Sequence, residues 1–277
     1  MTTLEVPDHA DHAVLVHALL AQFGRIDALA PYTGEGQPLW QIGAGSALAG
    51  DDARTDPYRL SHSAVLALVV AIDHLRALTA LVRREVKDGE QQMLLHSHAP
   101  FTLLRAALEN AARAVWLLGP SRRLDRVSRC LRMHHADIAN VTAKATLLDF
   151  EPDKAEVEER KNRIKALLRA AGVQEADLTN GNLRMPGYGK IVADAGNRTG
   201  TANAELWWSL CSSLAHGDQS GTLAVLKRRI TATDGDVHSL RISAPLGAVV
   251  AAVKNTVGMA ESAVALYSDR ARSPHPA

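Results

Sequence analysis

FTLLRAALENAARAVWLL, residues 101–118, decides the fold of this chain. Its apolar residues recur at spacings of three and four, and Ala and Leu, the strongest helix formers, dominate it, so the stretch predicts a helix. Pro100 suits a first helical turn, where a missing N–H is harmless, and Gly119-Pro120 stops the helix. Arg105, Glu109 and Arg113 form one polar line at i, i+4, i+8. Apart from Thr102 and Asn110 the remaining circumference is apolar, which marks a helix enclosed by neighbours. The rest of the chain is therefore expected to be built around it.

Composition agrees with a helical reading. Of 277 residues, 47% are hydrophobic but only 4% aromatic, a balance that favours packed helices over a β-sandwich. The formal net charge of +1 gives no global field toward nucleic acid or anionic membrane, so any such attraction has to come from a local patch. Cys130 and Cys211 are too few for a disulfide framework and fit a reducing compartment. The opening residues MTTLEVPDHADH lack a signal-peptide profile. The longest unbroken apolar run, 64–72, falls short of the roughly 20 residues that span a bilayer. A soluble cytoplasmic protein with no membrane partner is expected.

On either side of the central stretch, the apolar spacing predicts helices over 10–29 and 61–88, the second closed by Asp88-Gly89. His9, His12 and His17 lie near the start of the first, but no Cys or further His completes a ligand set, so neither metal nor cofactor is expected. Residues 31–57, rich in Gly, Pro and Asp, read as a long loop anchored by Trp40. Gly43-Ala44-Gly45 within it follows no strand and precedes no Lys-Ser/Thr, which excludes a phosphate loop. Beyond the centre, 121–148 reads as a helix with a heptad seam of Leu124, Val127, Leu131, His134, Ile138, Val141, Ala145 and Leu148. Arg122, Arg123, Arg126, Arg129 and Arg132 fall away from that seam. They form either a solvated face or, through Arg122, Arg126 and Arg132, a phosphate or RNA contact.

Residues 152–171 place acids first and bases last, as the helix dipole favours, and few large apolar residues make that helix peripheral. A short helix over 190–195 and a buried one over 204–217 follow, the latter with Leu206, Trp207, Leu210 and Leu214 inward. Runs 223–230 and 237–242 flank Asp234-Gly235 as a small hairpin. A last helix from Ser243 or Pro245 to Tyr267 precedes a disordered tail, 269–277. The organisation expected is an N-terminal helix and loop (1–57), a helical core (58–268) and the tail. The class is all-α, a bundle of about seven to eight helices with one C-terminal hairpin.

Three groups carry candidate chemistry. Arg105 and Glu109 on the enclosed helix form either a structural ion-pair network or a ligand or catalytic site. Ser212 and His216, four apart on another helix, share one face, and His216 beside the helix C-terminus also suits the dipole. A Ser212–His216 hydrolase would also need an orienting group and an oxyanion hole, which the sequence does not locate. Arg129, followed by His134 and His135, resembles the Arg-x4–6-His pattern on a core helix of HEPN-superfamily ribonucleases. That resemblance implies an imidazole acting on the RNA 2′-hydroxyl and a guanidinium holding the phosphate. His134 lies ~140° around the helix from Arg129, so His135 is the better partner.

RAALENAARAVWLLGP at 105–120, the Arg-rich helix after it and SLCSSLAHG at 209–217 together resemble an uncharacterised helical family of high-GC bacteria. The resemblance implies that Arg105, Glu109, Ser212, His216 and Gly217 share one pocket. A HEPN-like, RNA-associated homodimer, acting as a metal-independent ribonuclease in stress or phage defence, is one expectation. A non-catalytic ligand-binding or regulatory module is the other.

Overall fold

The computed structural model describes residues 9–34, 38–87, 90–179, 181–235 and 237–274. Among them are ten α-helices and two two-stranded antiparallel hairpins, so the class is all-α with more elements than the periodicity marks. The helices are α1 (His9–Leu29), α2 (Ala47–Thr55), α3 (Leu60–Leu81), α4 (Ala99–Leu118), α5 (Arg123–Leu147), α6 (Lys154–Ala170), α7 (Tyr188–Thr199), α8 (Ala204–His216), α9 (Gln219–Val225) and α10 (Leu246–Ala271). Strands β1 (Arg83–Lys87) and β2 (Glu90–Leu94) form one hairpin, and β3 (Lys227–Asp234) and β4 (Val237–Ser243) the other.

The quoted stretch is α4, and it is the centre. Phe101, Leu104, Ala107, Leu108, Ala111, Ala112, Ala114, Val115, Leu117 and Leu118 are all buried. α3 and α10 cover it most extensively, with α8 and α7 next. Small residues allow close approach: Ala64, Ala67 and Ala71 of α3, and Ala252, Ala260 and Ala263 of α10, join the alanines of α4 in one core. Leu19, Phe23, Ile26 and Leu29 bring α1 into the same core. A second, smaller core joins Val127, Leu131 and Ile138 of α5 to Ile164 and Leu168 of α6, with Leu178 and Leu183 beneath. The heptad seam is therefore used only in part: Val141, and Leu148 just past the end of α5, are exposed and lie outside this core.

Four expectations are corrected. The 31–57 stretch contains α2, capped by Ser46 accepting from the Ala49 N–H and holding Leu48 and Asp51 in the interior. α3 stops at Leu81 and the chain turns into β1–β2 instead of running to residue 88; the Asp88-Gly89 turn lies outside the described residues. Strand β3 begins at Lys227, after the short α9. In α8 Leu206 is exposed, and Ala204, Cys211 and Leu214 are the buried positions.

The tail differs too: α10 runs to Ala271, and Ser273 Oγ donates to Ala44 O, while residues 275–277 lie outside the described set. Gly43 owes its presence to that passage. Its N–H donates to Ala271 O at 2.8 Å, and a Cβ there would sit 2.7 Å from Ser273 N. Trp40 does anchor the preceding segment, its Nε1 donating to Tyr32 O and its carbonyl accepting from Tyr267 Oη at 2.9 Å.

Among the described residues three helical segments, His12–Thr33, Leu60–Leu81 and Leu246–Ala271, are long and apolar enough to cross a membrane. Mean hydropathy along a whole helix meets that requirement where no unbroken apolar run does.

Candidate functional site

The C-terminus of α4 is where the arginines gather. A helix leaves its last carbonyls without intrahelical partners and carries partial negative charge there. Arg129 Nη1 donates to Trp116 O at 2.6 Å, and Arg270 donates to Leu118 O and Pro120 O at 3.2 and 3.1 Å. Arg126 Nη1 donates to Pro120 O and Ser121 O at 2.9 and 2.8 Å. The rest of the Arg126 guanidinium grips Asp51 of α2 in a bidentate pair, Nε to Oδ2 at 2.6 Å and Nη2 to Oδ1 at 2.9 Å. Arg123 adds a third bond to Asp51 at 3.2 Å.

Arg126, expected on the solvent-facing phosphate contact, is therefore buried, because Asp51 and two carbonyls take its donors. Arg122 is exposed, while Arg132 is half-buried with its Nε unpartnered. The basic face of α5 is thus largely turned inward, onto the end of α4.

The residues expected to act together on RNA face three different elements. Arg129 lies over the Trp116 indole, 5.0 Å from the ring, and toward Asp194 of α7. His134 Nε2 meets Ser63 Oγ of α3 at 3.0 Å, with the ring tilted against Tyr58. His135 faces Lys161, Lys165 and Glu158 of α6, and its Nε2 is buried without a partner. The structure does not bring Arg129 and His135 onto one shared group. Burial lowers the pKa of both imidazoles, against Asp137 for His134 and with the help of Lys165 and Lys161 for His135.

That shift has a sign. The native state disfavours imidazolium, while the unfolded chain titrates near the ordinary 6.5. The His134 contribution is complete above the unfolded value and is lost as pH falls through it toward the lower native value. Melting temperature should drop between about pH 7 and pH 5, and His134→Gln should flatten that slope. An unchanged slope in the variant would show that His134 does not govern it.

The second group is tied together. Arg105 Nε donates to Glu109 Oε1 at 2.9 Å, and its Nη1 donates to His216 Nε2 at 2.7 Å, which places the ring proton of His216 on Nδ1. Trp208 Nε1 donates to the same Glu109 oxygen at 2.7 Å. One turn along α4, the Arg113 guanidinium lies over the Tyr188 ring and bonds its hydroxyl. These contacts bind α7 and α8 to α4, although Arg113 Nε is buried with no hydrogen-bond partner among the described residues. Ser212 is half-buried on α8 and makes no hydrogen bond with His216.

Between α4, α5 and α7 lies a cavity of about 270 Å³, lined by Val115, Trp116, Arg129, Asp194, Asn197 and Arg198, with Ala195. Arg198 lies across Gly119, where a Cβ would be 2.3 Å from its Cδ; only glycine leaves that path open. Asp194, the one carboxylate lining the cavity, is shared with Lys190 at 3.5 Å. Burial lowers the Arg129 pKa, with Arg198 and Arg132 acting in the same direction and Asp194 opposing. Of the residues singled out from the sequence, only Arg129 reaches this cavity. Trp116, Asp194, Asn197 and Arg198 had no distinguishing pattern, and the glycine at the end of the enclosed helix was the one available hint. Comparison with protein-family models, with curated proteins and with solved structures finds no match.

Proposed function

We propose that this protein is a non-catalytic ligand-binding module that holds a small phosphate-bearing molecule in the cavity between α4, α5 and α7. The observation that carries this reading is that Arg129 and Arg198 line one cavity, Arg129 lying over the Trp116 indole, with one shared carboxylate, Asp194, opposing them. A guanidinium pair with excess positive charge matches a phosphate, and an anion offsets the penalty that burial places on Arg129. The size matters as well. About 270 Å³ is below the usual range for drug-sized ligands, so the occupant is a phosphomonoester or one nucleotide rather than a polymer. In this reading the long apolar helices serve the core and the protein works in the cytoplasm.

A HEPN-like ribonuclease would need Arg129 and a histidine on one phosphate, and the separate surroundings of His134 and His135 favour binding over cleavage. Titration calorimetry with inorganic phosphate and with 5′-AMP tests the reading. Wild type should bind, and Arg198→Ala, an exposed substitution that spares the core, should bind about tenfold or more weakly, the loss of one charge-assisted contact. Equal affinity in the variant, or no binding of either probe, overturns it. So does metal-independent cleavage of cellular RNA that disappears in Arg129→Ala and His135→Ala.

A further inference from the structure

The β3–β4 hairpin stands away from the body. Every residue of β3 is exposed, and of β4 only Ile242 is partly covered. A two-stranded hairpin with no packed face is marginal alone in water. Its register makes the case sharper. Directly opposed residues share a face, and Arg229 is paired with Arg241. Lys227, opposite Ser243, lies two positions along the same face, and Arg228 stands on the other face opposite Ile242. Like charges directly across a ladder are destabilising. Among the described residues neither arginine side chain has a salt bridge or a hydrogen bond, and the nearest strand carboxylate, Asp234, is at the far end of β3.

We propose that this hairpin is an arm that binds the backbone of double-stranded DNA, with Lys227, Arg228, Arg229 and Arg241 as phosphate contacts. A polyanion turns the Arg229–Arg241 repulsion into attraction. The duplex is favoured over RNA by shape: the B-form major groove admits a two-stranded ribbon, whereas the A-form major groove is too narrow. Lys227, Arg228, Arg229 and Arg241 gather at the base of the ribbon, and Asp234 pairs with Val237 at its far end, away from them. With a net charge of +1 for the whole chain, binding depends on this patch and not on a global field.

Fluorescence anisotropy with a duplex of about two helical turns, titrated at several salt concentrations, tests the arm. If each cation neutralises one phosphate, the log–log salt slope is about −3.6 for wild type and about −1.8 for Arg229→Ser/Arg241→Ser, at about −0.9 per phosphate. The double variant should bind about tenfold or more weakly at low salt. Its melting temperature should be unchanged or raised, since two exposed, mutually repelling charges are removed. Lys254→Ser on exposed α10 surface should bind as wild type. No duplex binding at low salt, wild-type affinity in the double variant, or tighter binding of single-stranded RNA than of duplex overturns the proposal. The phosphate and 5′-AMP titrations at Arg198 stand apart from these outcomes, so each reading fails alone.

Discussion

Asp51→Asn should lower the melting temperature of this protein by roughly 5–10 °C, the largest effect expected of any single polar substitution in it. Asp51 is fully buried, and its two oxygens receive Nε and Nη2 of Arg126 and Nε of Arg123. Neutralising it leaves the Arg126 guanidinium buried without a counter-charge, and breaking a buried pair from one side costs about 3–5 kcal/mol. The cost measures the stranded charge, not the net worth of the pair. Asp51→Leu/Arg126→Met should therefore recover much of the loss, because both charges leave together. Thermal melts of Asp51→Leu, Arg126→Met and the double, beside wild type, form a complete cycle. A shift under about 2 °C for Asp51→Asn would show that the pair is not what joins α2 to α5.

Phe101→Ala should destabilise by about 3–5 kcal/mol, the loss of a fully buried aromatic plus the cavity it leaves. Phe101 lies in the first turn of α4, where Pro100 is also buried. Phe101→Leu keeps most of the volume and should lose under about 1.5 kcal/mol. Urea unfolding distinguishes the two: the midpoint falls while the slope stays constant if only packing is lost. A changed slope would show that α4 has detached from α3 and α10. A small effect in Phe101→Ala would mean that the core collapses around the vacancy.

The all-α class and the central helix were legible because α4 carries its own signals: period, Pro at the start, Gly-Pro at the end. The C-terminal hairpin was legible from alternation about a turn. Elements of weak period were not. α2 has Leu48 as its single large buried apolar side chain, and what holds it is an ion pair to a residue far along the chain. The inward set of α8 was misjudged because apolar side chains outnumbered the buried positions, and only neighbours decide which of them face the core.

The candidate sites show the same division. The Arg105–Glu109 pair was legible from its i, i+4 spacing, but that spacing says nothing of His216 and Trp208 on α8, which only the packing of α8 on α4 brings to the same two side chains. For the arginines of α5 the helical wheel gave direction without surroundings. Arg129 meets a carbonyl in the last turn of α4, and Arg126 meets Pro120 and Ser121 carbonyls just past it; which arginine reaches which carbonyl depends on how α5 packs, not on local pattern.

By itself the sequence determined the elements whose free energy is local or periodic: the class, the enclosed helix, the hairpin turn and a net charge that leaves any polyanion contact to a patch. The tertiary structure alone decided which charges are paired. Burial and ion pairing depend on groups distant along the chain, and they turned the arginines of α5 inward while leaving Arg229 and Arg241 exposed on the hairpin.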